Sequence, residues 1–217
     1  VQFFASFGDG TVVQDEEILA ARNTDWRRQY HGKSQVLVRP KSTEDLSEIL
    51  KYCNQERIAV VPQAGKTGLV GGSVPILDEL ILSTERLNNI IGIDRVSGIL
   101  RCQSGCILSD LQEYASHHNH IFPVDLGAKG SCQIGGNIST NAGGQYFYRY
   151  GSLAANVLGL QAVLPDGSIL DLNFTNACLK NNTGYKLHQL FIGAEGTLGI
   201  VTGASIHCPR LPSSRQA

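Results

Sequence analysis

The chain has 217 residues, of which 42% are hydrophobic and 17% charged, with a formal net charge of −1 at pH 7. This composition is ordinary for a globular protein, and the length fits one large domain or two small lobes that share a core. Because no Lys/Arg run exceeds two residues, the charge pattern argues against nucleic acid or an anionic membrane as the main partner, and the apolar stretches are too short to cross a bilayer.

A helix is the first clear element in chain order. Ser42 and Thr43 carry side-chain oxygens that can cap a helix N-terminus. Apolar residues then repeat at helical spacing up to Cys53, which predicts an amphipathic helix that ends near Gln55. Further on, the sequence predicts strands at residues 58–61, 80–83 and 99–102, and a second helix from a cap at Ser109 to about residue 116.

The second half of the chain is richer in strands. Strands are predicted at residues 157–164 and 169–172, and the Pro-Asp-Gly-Ser sequence between them is typical of a hairpin turn. A short helix near residues 185–190 and a last strand at 200–206 follow. Helices interspersed with strands in this order predict an α+β fold with mixed sheets.

The six cysteines include no C-x-x-C pair. Their even number permits disulfides, but the chain is neither short nor cysteine-dense, so we expect reduced and mostly buried thiols. The sequence opens on Val1 and contains no methionine, so we expect the natural chain to extend further upstream. Residues 211–217 resemble a linker or a cut end.

Two glycine-dense loops are the most informative feature of the chain. They span residues 62–75 and 127–144. Glycine lets another molecule approach the backbone closely, and runs of free N–H groups form concave sites that suit a phosphate or pyrophosphate. Two such loops predict a dinucleotide held from two sides. Two ordinary surface loops are the alternative.

Other phosphate and metal motifs are weaker. Gly65-Lys66-Thr67 matches the end of a P-loop, but Val60 stands where that motif needs glycine, and no G-x-G-x-x-G sequence follows a strand. The tract His117, His118 and His120 has no acidic residue or cysteine at ligand spacing, so we assign no metal. No nucleophile elbow appears, which leaves hydrolase chemistry without support.

Several motifs together resemble the FAD-binding (PCMH-type) domain of the vanillyl-alcohol oxidase superfamily. Within it, the chain is most similar to the D-2-hydroxyglutarate dehydrogenases, and next to the D-lactate dehydrogenases and glycolate oxidase subunits. The motifs lie in order over most of the chain, from about residue 12 to residue 210; they are residues 23–26, 62–72, 125–131, 134–137, 140–144, 149–152 and 193–199.

The resemblance implies two α+β lobes with mixed sheets flanked by helices, and FAD between the lobes. Residues 1–34 would be a lead-in and residues 35–210 the FAD-binding domain, with lobe one at about 35–95 and lobe two at about 96–210. In this family the substrate-binding and catalytic residues belong to a downstream domain that this sequence lacks. No catalytic residue is therefore assigned.

The resemblance also implies a set of cofactor-binding residues. No family histidine for a covalent flavin link is apparent, so we expect non-covalent FAD. The set comprises Pro62, Gln63, Ala64, Gly65, Lys66, Thr67, Gly68, Gly71, Gly72, Ser73, Asp125, Gly127, Ala128, Ser131, Ile134, Gly135, Gly136, Asn137, Thr140, Asn141, Ala142, Gly143, Gly144, Glu195, Gly196, Gly199 and Ile200.

Two residues of the first loop depart from the family pattern, which usually has glycine at Ala64 and asparagine at Lys66. If residue 64 adopts a left-handed conformation, alanine costs about 1–2 kcal/mol there. Lys66 could offset that cost by pairing with a phosphate; a solvated surface lysine is the alternative.

By resemblance, the parent protein is an FAD-dependent dehydrogenase of a D-2-hydroxy acid, with D-2-hydroxyglutarate oxidised to 2-oxoglutarate by hydride transfer to flavin N5. Its expected partners are the small 2-hydroxy acid and an electron acceptor such as an electron-transfer flavoprotein. The expected location is the mitochondrial matrix, or the cytoplasm if the source is bacterial. The alternatives are a truncated, non-catalytic FAD-binding module and a related D-lactate or glycolate flavin oxidoreductase.

Overall fold

A four-stranded mixed sheet is built from the first part of the chain in the computed structural model, which describes residues 1–212 and residue 214. β2 and β3 run parallel to β4, whereas β1 pairs antiparallel with β2, in the order β1-β2-β4-β3. Parallel strands need a crossover connection; a helix lies between β2 and β3, and residues 64–79, with the first glycine loop, join β3 to β4. The strands are β1 (Val12–Val13), β2 (Leu37–Val38), β3 (Val60–Gln63) and β4 (Leu80–Ser83).

The crossover helix α3 (Thr43–Gln55) confirms the first predicted helix. The Ser42 hydroxyl accepts the backbone N–H of Asp45 at 3.0 Å and so caps the helix. The predicted apolar face is buried, Cys53 included. Two earlier helices, α1 (Gln2–Ala5) and α2 (Glu16–Arg22), were not predicted.

A five-stranded antiparallel sheet forms the second part of the fold, in the order β5-β6-β9-β7-β8. The predicted hairpin joins β7 to β8, where Gly167 has φ +87° and the Asp166 carboxylate accepts the Ser168 N–H at 2.8 Å. The strands are β5 (Ile90–Ile93), β6 (Ile99–Gln103), β7 (Val157–Val163), β8 (Ile169–Leu172) and β9 (Ile200–His207).

Helices flank this second sheet, and several of them differ from prediction: α5, α6 and α7 were not predicted, and the short helix predicted near residues 185–190 is a 3₁₀ turn. Ser109 does not cap α4, because the Leu108 and Ser109 N–H groups donate to the carbonyls of Cys132 and Lys129 in the second glycine loop. Inside that loop the chain forms α5 despite its glycines, since Gly135 packs directly on Ser104. The helices are α4 (Leu108–His117), α5 (Ile134–Ser139), α6 (Phe147–Tyr150), α7 (Leu153–Asn156) and a 3₁₀ turn at Leu187–Phe191.

The two sheets share a packed boundary. Val163 and Ile200 of the second sheet belong to the apolar cluster that α3 forms with the first sheet. Gln161 Oε1 in β7 accepts the hydroxyl of Thr43 at 2.9 Å and that of Thr202 at 3.0 Å. The relative position of the sheets is therefore fixed by both packing and hydrogen bonds to two buried hydroxyls.

The two sheets also show where the chain passes from one lobe to the other. β1 lies within the predicted lead-in at 1–34 yet pairs with the first sheet. The change from the first sheet to the second falls between Ser83 and Ile90, ahead of the boundary predicted near residue 95. Of the predicted linker or cut end at 211–217, residue 213 and residues 215–217 lie outside the described residues.

The expectation of mostly buried thiols is confirmed. All six cysteines are free, and Cys178 alone among them is exposed. Burial raises the pKa of the Cys53 thiol to about 11, so this thiol is a poor nucleophile near neutral pH. Each helix in the described part of the chain is too short or too polar to span a bilayer.

Candidate functional site

A cavity of about 380 Å³ brings the two glycine loops together. Its walls come from four stretches: the end of β3 with the first loop, the residue after β4, the second loop with α5, and the turn that leads into β9. The volume falls in the range of small-molecule sites, and the elements that supply the walls belong to both sheets. The fold therefore creates the two-sided cleft that the sequence predicted.

Glycines allow the walls of the cavity to touch. A methyl group on Gly65 of the first loop would lie 2.2 Å from the carbonyl oxygen of Ser131 in the second. A methyl group on Gly136 would lie 2.9 Å from the Ala64 Cβ atom. Since real Cβ atoms do not approach other atoms so closely, these contacts between the loops require glycine.

The first loop offers a run of unused hydrogen-bond donors. From Gly65 to Ser73, no backbone N–H group donates to an acceptor within the described residues. The next N–H, that of Val74, bonds back to the Gly71 carbonyl at 3.0 Å. Consecutive free N–H groups in a turn form an anion-binding concavity, which fits the diphosphate of a dinucleotide.

Buried acceptors without partners also suit a bound cofactor. Gln63 Oε1 and Asn137 Oδ1 are buried and have no hydrogen-bond partner within the part of the chain that the structure describes. Both residues line the cavity. Since most buried polar atoms are hydrogen-bonded, these two acceptors fit a ligand that carries hydroxyl or N–H donors.

The two departures from the family pattern differ in backbone conformation. Ala64 is not among the residues with positive φ, so it carries no left-handed strain; Lys66, with φ +54°, does. The Lys66 ammonium donates to the backbone carbonyls of Ala21 and, at 2.6 Å, Thr24. Within the described residues the Lys66 ammonium thus bonds to backbone carbonyls, and its pairing with a phosphate stays a prediction.

Burial explains the electrostatic state of Lys66. Desolvation of the partly buried ammonium lowers the pKa of Lys66, and the nearby Arg22 charge lowers it further, while Asp25 opposes the change. The ammonium is nevertheless satisfied, because two carbonyl oxygens accept its protons.

Most of the predicted cofactor residues line the cavity, and some do not. Gly71 packs against the Tyr30 ring, and Ile134 is fully buried in the core of the second sheet. The Asp125 carboxylate accepts from Gln112 and Lys129, and these hydrogen bonds lower its pKa. The predicted residues that do not line the cavity are Gly71, Asp125, Ser131, Ile134, Asn141, Gly143 and Gly144.

The cavity also has walls that the sequence did not reveal. Thr84 follows β4, and its hydroxyl lies 3.3 Å from Gln133 Oε1 across the cavity wall. Because β3 and β4 are parallel, their carboxyl ends meet at one edge, a signal that could have identified Thr84. The unpredicted lining residues are Val70, Thr84, Leu126, Gln133, Ser139 and Val201.

The histidine tract lies at the end of α4 and bonds to backbone. His118 Nδ1 is 2.8 Å from the Tyr114 carbonyl oxygen, and His120 Nδ1 is 2.8 Å from that of His118. Across the described residues, no group of three or more His, Cys, Asp or Glu side chains is placed to hold a metal ion.

Comparison with known proteins agrees with this geometry. A family model described as an FAD binding domain matches residues 34–173. A mitochondrial D-2-hydroxyglutarate dehydrogenase of Danio rerio is 53% identical over 214 residues, which are 99% of this chain and 40% of the relative. A probable mitochondrial D-2-hydroxyglutarate dehydrogenase of Oryza sativa subsp. indica is 56% identical over 219 residues, covering 100% of this chain and 39% of the relative.

Among solved structures, an alkyldihydroxyacetonephosphate synthase superposes with a TM-score of 0.85 at 19% identity, covering 98% of this chain and 40% of that one. At that identity the likeness concerns the fold alone, and it confirms the predicted α+β architecture. The chain spans about two fifths of the length of the curated relatives that it matches. The resemblance drawn from the sequence motifs is confirmed.

Proposed function

The chain belongs to the family of FAD-binding domains, and from that premise we propose that it is the FAD-binding portion of a flavin-dependent dehydrogenase of a D-2-hydroxy acid. The cavity where two glycine loops meet carries the FAD-binding part of the proposal. More than half of the residues are identical to those of D-2-hydroxyglutarate dehydrogenases over nearly the whole chain, which favours D-2-hydroxyglutarate as the substrate and 2-oxoglutarate as the product.

Each wall of the cavity has its own task in this proposal. The free N–H groups of residues 65–73 bind the diphosphate. The Thr140 hydroxyl and the Gln63 and Asn137 amides lie on the walls and suit the ribityl and ribose hydroxyls. Bound FAD would supply the redox chemistry, accepting the substrate hydride at N5 and passing electrons to an acceptor such as an electron-transfer flavoprotein.

The part of the relatives that this chain does not span determines which alternative functions remain. Because the chain spans only about two fifths of those relatives, the substrate-binding residues are proposed to lie outside it. A non-catalytic FAD-binding module is the second candidate, and a D-lactate or glycolate flavin oxidoreductase the third. Since the relatives are named mitochondrial, we assign the parent protein to the mitochondrial matrix.

Titration with FAD tests the cofactor site. We expect the folded chain to bind FAD near one to one and to acquire flavin absorbance, because both loops and their donors are present. Acid precipitation should release the flavin into the supernatant, as a non-covalent complex requires. A chain that is folded by circular dichroism yet stays colourless in excess FAD would contradict the proposed site, and flavin retained in the pellet would contradict the non-covalent complex.

Turnover separates the dehydrogenase from the module. We expect the FAD-loaded chain alone to give no D-2-hydroxyglutarate-dependent reduction of a dye acceptor. The same chain extended to the full length of its relatives should reduce the dye with saturation in substrate, and D-lactate and glycolate serve as comparison substrates. Saturable turnover by the chain alone would place substrate residues within it, and an inactive full-length protein would favour the module.

A further inference from the structure

The first glycine loop is held from behind by residues 21–33, which we call the bracing segment. Lys66 and Gln63 both donate to its carbonyls: the Lys66 ammonium to Ala21 and Thr24, and Gln63 Nε2 to Arg22 at 2.9 Å. At the far end of the loop, the Lys33 N–H of the segment donates to the Pro75 carbonyl at 3.0 Å. The segment therefore contacts the loop at both ends.

Close packing fills the space between these hydrogen bonds. A methyl group on Gly71 of the loop would lie 2.5 Å from the Tyr30 ring, and one on Gly32 of the segment would lie 2.3 Å from the Pro75 carbonyl oxygen. The loop and the bracing segment thus fit together closely along their length. A shift of one requires a shift of the other.

The bracing segment is itself well ordered. The buried Asp25 carboxylate accepts the backbone N–H groups of Arg27 at 3.0 Å, and of Gln29 and Tyr30 at 2.7 Å. These hydrogen bonds lower the pKa of Asp25, and the bond from the Tyr30 N–H contributes most. A turn fixed in this way gives the loop a rigid support.

Lys66 occupies a costly backbone conformation to make its contacts. Its φ of +54° is uncommon for a residue other than glycine, asparagine or aspartate. No carboxylate within the described residues forms an ion pair with its ammonium, which is bound by carbonyl oxygens instead. Strained residues persist where the surrounding contacts over-determine them, and here those contacts are with the bracing segment.

We propose that Lys66 is a positioning residue for FAD: its ammonium fastens the first glycine loop to the bracing segment, so that the free N–H groups of the loop stay arranged for the diphosphate without contact between the lysine and the phosphate. This inference rests on the proposed FAD site. Because only the fastened loop binds well, FAD in turn stabilises the bracing segment.

The substitution Lys66→Met tests the fastening, since methionine keeps an unbranched side chain and removes the ammonium. We expect the Kd for FAD to rise about tenfold or more, because two hydrogen bonds from a charged donor are lost. The factor should be the same at low and high salt, since the lost contacts are internal. A direct phosphate contact would instead give a loss that shrinks as salt rises. Lys180→Met, at an exposed lysine, is the matched control.

Tryptic cleavage gives a second readout that does not need FAD. Arg27 and Arg28 are exposed in the bracing segment. Without FAD, Lys66→Met should be cut after these residues several-fold faster than the parent chain, and Lys66→Arg, which keeps the charge, should recover much of the protection and of the FAD affinity. FAD should slow the cut in the parent chain.

Two results would overturn the inference: unchanged affinity and cleavage in Lys66→Met, or an affinity loss that disappears at high salt with unchanged cleavage. If the methionine variant does not fold, Lys66→Arg is the deciding variant. Because fastening needs only a charged donor, it predicts that Lys66→Arg is cleaved about as fast as the parent chain. Failure of the parent chain to bind FAD would refute the proposed function, while the cleavage comparison would still decide the bracing role.

Discussion

The substitution Gly65→Ala is expected to abolish measurable FAD binding and to destabilise the fold by about 1–3 kcal/mol or more, as overpacking does. The new methyl group would lie 2.2 Å from the Ser131 carbonyl oxygen, 2.9 Å from the Cys132 Cα atom and 3.1 Å from the Gln133 nitrogen. All three are backbone atoms, so no side-chain rotation relieves the clash. The two glycine loops must move apart, which separates the walls of the cavity.

Thermal unfolding and FAD titration measure the two effects of this substitution separately. Gly130→Ala is the matched control, because Gly130 lies in the second loop but does not line the cavity, and a methyl group there meets no atom of the described residues within 4 Å. We expect Gly130→Ala to behave as the parent chain in both measurements. Parent-like FAD affinity in Gly65→Ala would mean that the loops are not in contact as described.

Much of the fold could be predicted because its signals are local. α3 has a capping serine and a helical apolar repeat, and the hairpin between β7 and β8 has a turn sequence with glycine at the position of positive φ. β1 and β2 have two residues each, too few for any periodic pattern. α5 was missed for a different reason, since its glycine-rich residues form a helix where Gly135 packs on Ser104 and Gly136 on Ala64, residues far away in the sequence.

The residues of the candidate site likewise divide into those predicted from local sequence and those that depend on the tertiary fold. Glycine density predicted where the backbone of a loop would be open to a ligand, and the residues around Gly65 and Gly136 do line the cavity. Thr84 could be identified only once β3 and β4 were known to be parallel neighbours, and the place of Gln133 likewise depends on how distant segments pack. The direction of the Lys66 side chain depends on carbonyls at Ala21 and Thr24, more than forty positions earlier in the chain.

Gln161 links the two halves of the fold, and its substitution by alanine is expected to have the second large effect, on the free energy of unfolding. Its Oε1 atom accepts hydroxyl protons from Thr43 of α3 and Thr202 of β9, which are 6% and 0% exposed. Gln161→Ala leaves both buried hydroxyls without this acceptor, at a cost of about 1–3 kcal/mol for each unsatisfied group. For the two groups together we therefore expect a loss of about 2–6 kcal/mol in the free energy of unfolding.

The same substitution tests whether the junction also sets the spacing of the cavity walls. Residues that touch across the cavity, such as Gly136 and Ala64, belong to segments that follow different sheets, so a looser junction should raise the Kd for FAD as well. Gln189→Ala is the control, since within the described residues this exposed side-chain amide bonds to the Ala154 carbonyl and the adjacent His188 ring alone; its loss should stay within about 0.5 kcal/mol. Denaturant unfolding and FAD titration of both variants give the two quantities. If Gln161→Ala lowers stability but leaves FAD affinity unchanged, the junction stabilises the fold without setting the spacing of the cavity walls. Stability equal to that of the parent chain would contradict the hydrogen bonds of Gln161 themselves.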